Sequence, residues 1–181
     1  MLVFRNANKN DVESIAKLHA KSWQENYKDS FSQDFLTNKV HEDRIALWTQ
    51  RLENPQKNQS VILAEDSGQL VGFICVYFEH DKNYGTLLDN LHVNSKFKGK
   101  GIGTNLISRI VSDMKAKGLT TGLYLWVLDN NISAIKFYEN LGGLMIEKVE
   151  GNDIGDKSFF KLRYFWDNIM SLSSKVASKK I

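Results

Sequence analysis

A run of glycines between an aliphatic strand and an amphipathic helix constrains this chain more than any other feature. The segment Lys98-Gly99-Lys100-Gly101-Ile102-Gly103-Thr104 follows TLLDNLHV, residues 86–93, whose aliphatic content predicts a strand. It precedes residues 102–117, where Ile102, Leu106, Ile110 and Met114 recur at steps of four and predict a helix stopped by Gly118. Glycine permits backbone torsions closed to other residues and lets a ligand approach the main chain without meeting a Cβ. Amide N–H groups can then converge on an anion at the positive end of the helix, with a pyrophosphate as the expected guest. A glycine-rich turn with no ligand is the plainer alternative. The spacing lacks GxxxxGK[ST], so this is no P-loop, and Thr104 stands where a dinucleotide fingerprint needs its third glycine.

Around that unit the chain alternates texture. A short strand is expected at residues 2–5, then a helix capped by Asn8, Asn10 or Asp11 and running to about Tyr27. One turn is expected at 32–37 and a helix at 40–53, closed by Pro55. Residues 60–65 and 70–78 are apolar and β-branched, and Asp66-Ser67-Gly68 joins them as a hairpin. After the glycine unit come a strand at 122–127, a helix at 132–141 ended by Gly142-Gly143, and strands at 144–150 and 157–165 around the turn Gly151-Asn152-Asp153. A terminal helix near 167–177 is more weakly signalled, and SLSSKVASKKI reads as a fraying tail. Hairpins mixed with two strand–helix–strand units predict an α+β domain around a mixed, mostly antiparallel sheet of about seven strands, with helices on both faces. The expected division is one domain over residues 1–166 and an extension over 167–181.

Bulk properties narrow the class. A net charge of +3 in 181 residues is too modest for a nucleic-acid binder, and only Lys96, Lys98 and Lys100 form a local cluster outside the lysine-bearing C-terminal tail, better suited to a small anion. No apolar run approaches the ~20 residues of a membrane span. The N-terminal MLVFRNANKNDVE turns polar too soon for a signal peptide, and the lone Cys75 suits a reducing compartment, so a cytoplasmic protein is expected. Four scattered histidines and no HExxH predict no metal site.

Two motifs in register carry a resemblance. LHVNSKFKGKGIGTNLI, Leu91 to Ile107, resembles the [R/Q]-x-x-G-x-[G/A] signature of the GNAT superfamily of N-acetyltransferases, with Lys98 in place of Arg or Gln. Lysine keeps the charge without the bidentate fork of arginine. Downstream, Val127, Asn131, Ala134, Phe137, Tyr138, Leu141 and Gly142 match that family's V-x-x-x-N-x-x-A-x-x-F-Y pattern and its helix end. The resemblance covers roughly residues 2–165.

The resemblance implies a GNAT-like fold, acetyl-coenzyme A (acetyl-CoA) as co-substrate without a metal, and direct attack of a primary amine on the thioester. It implies that the strand at 86–93 splays from that at 122–127, so that main-chain groups of Leu91, His92 and Val93 hold the pantetheine arm. The diphosphate would lie against Lys98, Gly99, Lys100, Gly101, Ile102, Gly103 and Thr104, and Asn131, Phe137 and Tyr138 would also contact the coenzyme, Asn131 by bonding its arm. Tyr138 matches the position that protonates the departing thiolate; filling an apolar stripe is its alternative, as helix capping is for Asn131. Asp89 is the leading candidate base, ahead of His92, Glu79 and His80.

Acceptor pockets in this family form around residues equivalent to 20–45. Trp23 and Tyr27 would make an aromatic wall, with Glu25, Asp29, Asp34 or Asp43 attracting a cation, unless Trp23 is core. The acceptor is expected to be a small-molecule amine or a protein or peptide amino group, with no nucleic-acid or membrane partner, and the protein a monomer or homodimer. Phe165, Trp166, Ile169 and Met170 would pack on the domain or form a dimer contact. A non-catalytic acyl-CoA-binding or sensing protein of the same fold is the alternative function.

Overall fold

The computed structural model describes residues 1–151 and 158–178. The elements run β1 (Leu2–Asn6), α1 (Val12–Asn26), α2 (Val40–Glu53), β2 (Gln59–Asp66), β3 (Gln69–Asp81), β4 (Gly85–Val93), α3 (Ile102–Ala116), β5 (Leu123–Leu128), α4 (Ile132–Asn140), β6 (Leu144–Gly151), β7 (Phe159–Trp166) and α5 (Ile169–Ser178). They build one seven-stranded sheet in the order β1-β2-β3-β4-β5-β7-β6. Every pairing is antiparallel except β4 with β5. Asn152 and Asp153 of the expected turn lie outside the described residues.

The central strands are apolar on both faces because helices cover both. Along β2 and β3, Ile62, Ala64, Ile74 and Val76 pack with α3, α4 and α5, whereas Val61, Leu63, Phe73 and Cys75 pack with α1 and α2. Period-two alternation therefore sorts one continuous hydrophobic run into two cores. Ser67 and Gly68, both at positive φ (52° and 80°), make the tight β2–β3 hairpin. Helices α3 and α4 end alike: the amides of Leu119 and Gly143 bond the carbonyls of Met114 and Tyr138 across left-handed Gly118 and Gly142.

Two expectations change. The turn at 32–37 is instead a π-helical stretch, Phe35–Lys39, that continues into α2 and buries Leu36. The sequence SLSSKVASKKI does not fray from its start: α5 extends to Ser178, and Ile169, Leu172 and Val176 are buried in the α3 core. The serines misled, because three of them bond nearby carbonyls of their own segment while the apolar residues keep helical spacing. Trp166 is buried, Phe165 packs its ring on Tyr84, and Met170 is exposed. No helix among the described residues is long and apolar enough to cross a membrane.

Candidate active site

The site begins with one extra residue in β4. Cys75 faces Asn90 and Val76 faces Leu88, so Asp89 is the unmatched residue of a bulge. A bulge bends its strand and shifts the alternation of side chains by one. Accordingly Leu88, Leu91 and Val93 pack toward α3, while His92 turns to the opposite face and meets His19 and Phe73. The parallel pairing of β4 with β5 covers only Thr86–Leu88 and Leu123–Leu125, and it stops at the bulge. Past that point the strands part around a cavity of about 770 Å³.

One end of the cavity is the glycine turn. Gly99 and Gly101 take φ of 78° and 73°, a region L-residues rarely enter, and Gly101 is the N-cap of α3. No side chain caps this helix and its first turn contains no acid. The amides of Ile102, Gly103 and Thr104 therefore sit where an α-helix leaves donors without intrahelical partners, at its positive end. These residues line the cavity with Lys98 and Gly99, a donor set that fits a diphosphate. Lys100 differs from expectation: it leans on the Phe97 ring, 4.8 Å from the centroid, and is not among the lining residues. Phe137 lies so close to Gly103 that a Cβ there would stand 3.3 Å from its Cζ, which locks α4 against the first turn of α3.

Deeper in, Tyr138 and Tyr27 approach one another. Burial pushes the Tyr138 phenol well above its ordinary value of 10, and the neighbouring Tyr27 adds to the rise. Burial also raises Tyr27, against a hydrogen bond to Asn131. Asn131 Oδ1 accepts the Ala134 amide at 3.2 Å and so caps α4. Both phenols stay protonated across the neutral range, which leaves them hydroxyl donors on the cavity wall.

The other end is built by α1 and α2. Trp23 is buried and stacked on Phe31 (5.0 Å, 12°), and it carries the Arg44 guanidinium on its face at 4.3 Å. Asp89 lines the cavity, but its Oδ2 is bound to Arg51 Nη1 at 2.7 Å, and that same nitrogen donates to Asn90 Oδ1 at 2.7 Å. An ion-paired carboxylate is poorly placed to take a proton, so the expected base role meets a physical objection. Glu79 and His80 do not line the cavity, and His80 Nδ1 is engaged 2.6 Å from Tyr124 Oη. His92 lines it, hydrogen-bonded through Nδ1 to Ser22 Oγ at 2.8 Å. Burial, with Arg44 and Lys98 nearby, pulls its imidazole down to about 3, so it stays neutral. Among the described residues no group of three or more His, Cys, Asp or Glu side chains is placed to hold a metal ion.

Sequence reasoning missed Arg44, Arg51 and His19. The signal was there: Val40, Arg44, Leu47, Trp48 and Arg51 form one stripe of α2 at helical spacing, two of them cations where apolar residues belong. An arginine on a buried stripe needs a partner there. The pairing of His19 with His92 could not be read, because it depends on the bulge at Asp89.

The acetyltransferase (GNAT) family matches residues 12–143 of the chain. An uncharacterized N-acetyltransferase of Methanocaldococcus jannaschii is 27% identical over 151 residues, 81% of this chain and 62% of that protein. The spermine/spermidine N(1)-acetyltransferase of Bacillus subtilis is 30% identical over 80 residues, 41% of this chain and 53% of that protein. The chain thus spans just over half to about three-fifths of the length of these two curated relatives. In fold it is similar to an N-acetyltransferase of Thermoplasma acidophilum solved in complex with coenzyme A, with a TM-score of 0.69 at 19% identity, covering 92% of this chain and 99% of that one.

Proposed function

Because the chain belongs to the acetyltransferase (GNAT) family, we propose that it transfers an acetyl group from acetyl-CoA to a primary amine by direct attack within a ternary complex. The observation that carries this reading is the parting of β4 from β5 beneath the uncapped N-terminus of α3. Acetyl-CoA would supply the activated thioester. The amides of Ile102, Gly103 and Thr104, with Lys98, would bind its diphosphate. Of the main-chain groups expected at Leu91, His92 and Val93, those of Leu91 and Val93 would bond the pantetheine arm as a neighbouring strand would, since His92 alternates toward Phe73 of β3, and an amide there would polarise the thioester carbonyl.

Tyr138 is the proposed general acid. As the amine nitrogen bonds the carbonyl carbon and the carbon–sulfur bond breaks, the Tyr138 hydroxyl gives its proton to the sulfur. The phenol is then restored by the proton the nitrogen sheds, through solvent. Its burial favours the protonated form that this role needs. Asp89 is assigned a positioning part, tying Arg51 of α2 to β4, rather than the base role. His92 is held neutral, so the amine is proposed to arrive already deprotonated, having lost its proton to water.

Titration calorimetry with acetyl-CoA, followed by a thiol-release assay over a panel of amines, tests this. Binding together with amine-dependent thiol release is expected. Binding without release would instead favour an acyl-CoA sensor, and absence of binding would defeat the assignment.

A further inference from the structure

Given the acetyltransferase reading, on which this inference rests, the charge pattern at the acceptor end of the cavity bears on the substrate. Six charged side chains line the cavity among the described residues: Asp43, Arg44, Arg51, Asp89, Lys98 and Lys161. Both carboxylates are occupied by arginines, Asp43 by Arg44 and Asp89 by Arg51. Of the four acids that sequence reasoning offered to a cationic acceptor, Asp43 lines the cavity and the other three lie elsewhere. Asp34 is paired with Lys39 at 2.8 Å, Glu25 accepts the Ser95 hydroxyl at 3.2 Å, and neither they nor Asp29 line the cavity. A second ammonium group on the acceptor would meet cations rather than open carboxylates.

Arg44 is the distinctive group. Its side chain is only 12% exposed, and its guanidinium lies over the Trp23 ring. Nε and Nη2 both donate to one oxygen of Asp43, and Nη1 has no hydrogen-bond partner among the described residues. Desolvation lowers the guanidinium from its ordinary value, the sign of a cation whose burial is incompletely compensated. A planar fork fixed on an aromatic face and short of acceptors is suited to a carboxylate. Arg44, Lys98 and Tyr138 all line the same cavity.

We infer that the acceptor is an amino acid, or an amine of that type, whose carboxylate docks on Arg44 over Trp23 while its amino group points toward Tyr138. The carboxylate offsets the cationic lining and completes the hydrogen bonding of the guanidinium. The site then discriminates against an amine of the same length that lacks the acid, because Arg44 Nη1 then has no carboxylate to bond.

The test compares matched acceptors by thiol release with wild-type protein: lysine against cadaverine, ornithine against putrescine, and phosphoethanolamine as a phosphate-bearing arm. The carboxylated member of each pair is expected to have kcat/KM about 10–100-fold higher, the range of a hydrogen-bonded charge pair. Arg44→Gln is expected to collapse that ratio through KM of the carboxylated member, and Arg44→Lys to retain part of it. Acetyl-CoA affinity of each variant reports whether the cleft is intact. Equal or reversed preference in the wild type, a preference for phosphoethanolamine over every carboxylated amine, or a ratio that survives Arg44→Gln overturns the inference. So does bound acetyl-CoA with no carboxylated amine turned over. Absence of acetyl-CoA binding would strike the acetyltransferase reading itself, a separable outcome.

Discussion

The imidazole rings of His19 and His92 lie against each other, with centroids 4.4 Å apart and planes tilted by 37°. Trp48 Nε1 donates to His19 Nδ1 at 3.0 Å, so the His19 proton resides on Nε2, which has no partner among the described residues. Burial drives both imidazoles well below 6.5, His92 to about 3. Two neutral histidines in tilted contact therefore form part of the floor between the cleft and the α1–α2 core.

That pair predicts acid lability with a definite sign. Below about pH 6.5 the unfolded chain binds protons on these histidines that the folded chain refuses, so stability falls as pH drops from there toward 3. His92 contributes a slope of about 1.4 kcal/mol per pH unit within that window, and His19 adds to it with the same sign. Denaturant titrations at several pH values should show this dependence, and His92→Gln should remove roughly one proton from the slope. An unchanged slope would show that His92 is protonated in the folded state.

Replacing Tyr138 by Phe keeps the packing against Tyr164 and Trp166 but removes the proton donor. The expected loss in kcat is about 10²–10⁴-fold, with little change in acetyl-CoA affinity. Turnover near that of the wild type would rule out the acid role.

Gly101→Ala places a Cβ at φ 73° in the N-cap of α3, with open space around it apart from Asn105 at 3.7 Å. The cost is torsional, about 1–2 kcal/mol, or roughly 2–8 °C in Tm for a domain of this size. Relaxing that strain would turn the first-turn amides, so acetyl-CoA affinity should fall as well. Calorimetry on the variant would measure both effects.

If Asp89 positions Arg51 and is not the base, Asp89→Asn should reduce kcat by less than about tenfold, well short of the loss of an acid–base group. The wild-type kcat/KM should then rise with pH toward the pKa of the acceptor amine, without an inflection from a group on the enzyme between about pH 5 and 8. A loss above about a hundredfold together with such an inflection would restore Asp89 as base.

Much of the architecture was legible because the local signals agreed with one another. The 40–53 helix, the Ser67-Gly68 hairpin and the stop at Gly118 each rest on spacing and turn chemistry that tertiary packing has no reason to override. The glycine turn was equally readable, since only backbone geometry is required of it. The acceptor end was not. Acids at 25, 29, 34 and 43 looked like a cation site, yet the first three stand outside the cavity lining and Asp43 is held by Arg44, while two arginines on the α2 stripe point inward. A one-residue bulge leaves no mark on hydrophobic periodicity when the strand is apolar on both faces, so the destination of His92 could be found only in three dimensions.

Among the described residues only three residue pairs join the β1–β4 leaf of the sheet to the β5–β7 leaf by strand pairing. For the rest of their length the leaves are stitched by the side chains of α3 and its core. Any molecule that settles in the gap and bonds the bare edge of β4 becomes a structural member of the protein. Its departure leaves two half-sheets meeting along a short seam, so occupancy and rigidity should rise and fall together, with a ligand at about a hundred times its Kd contributing about 2.7 kcal/mol to the folded state.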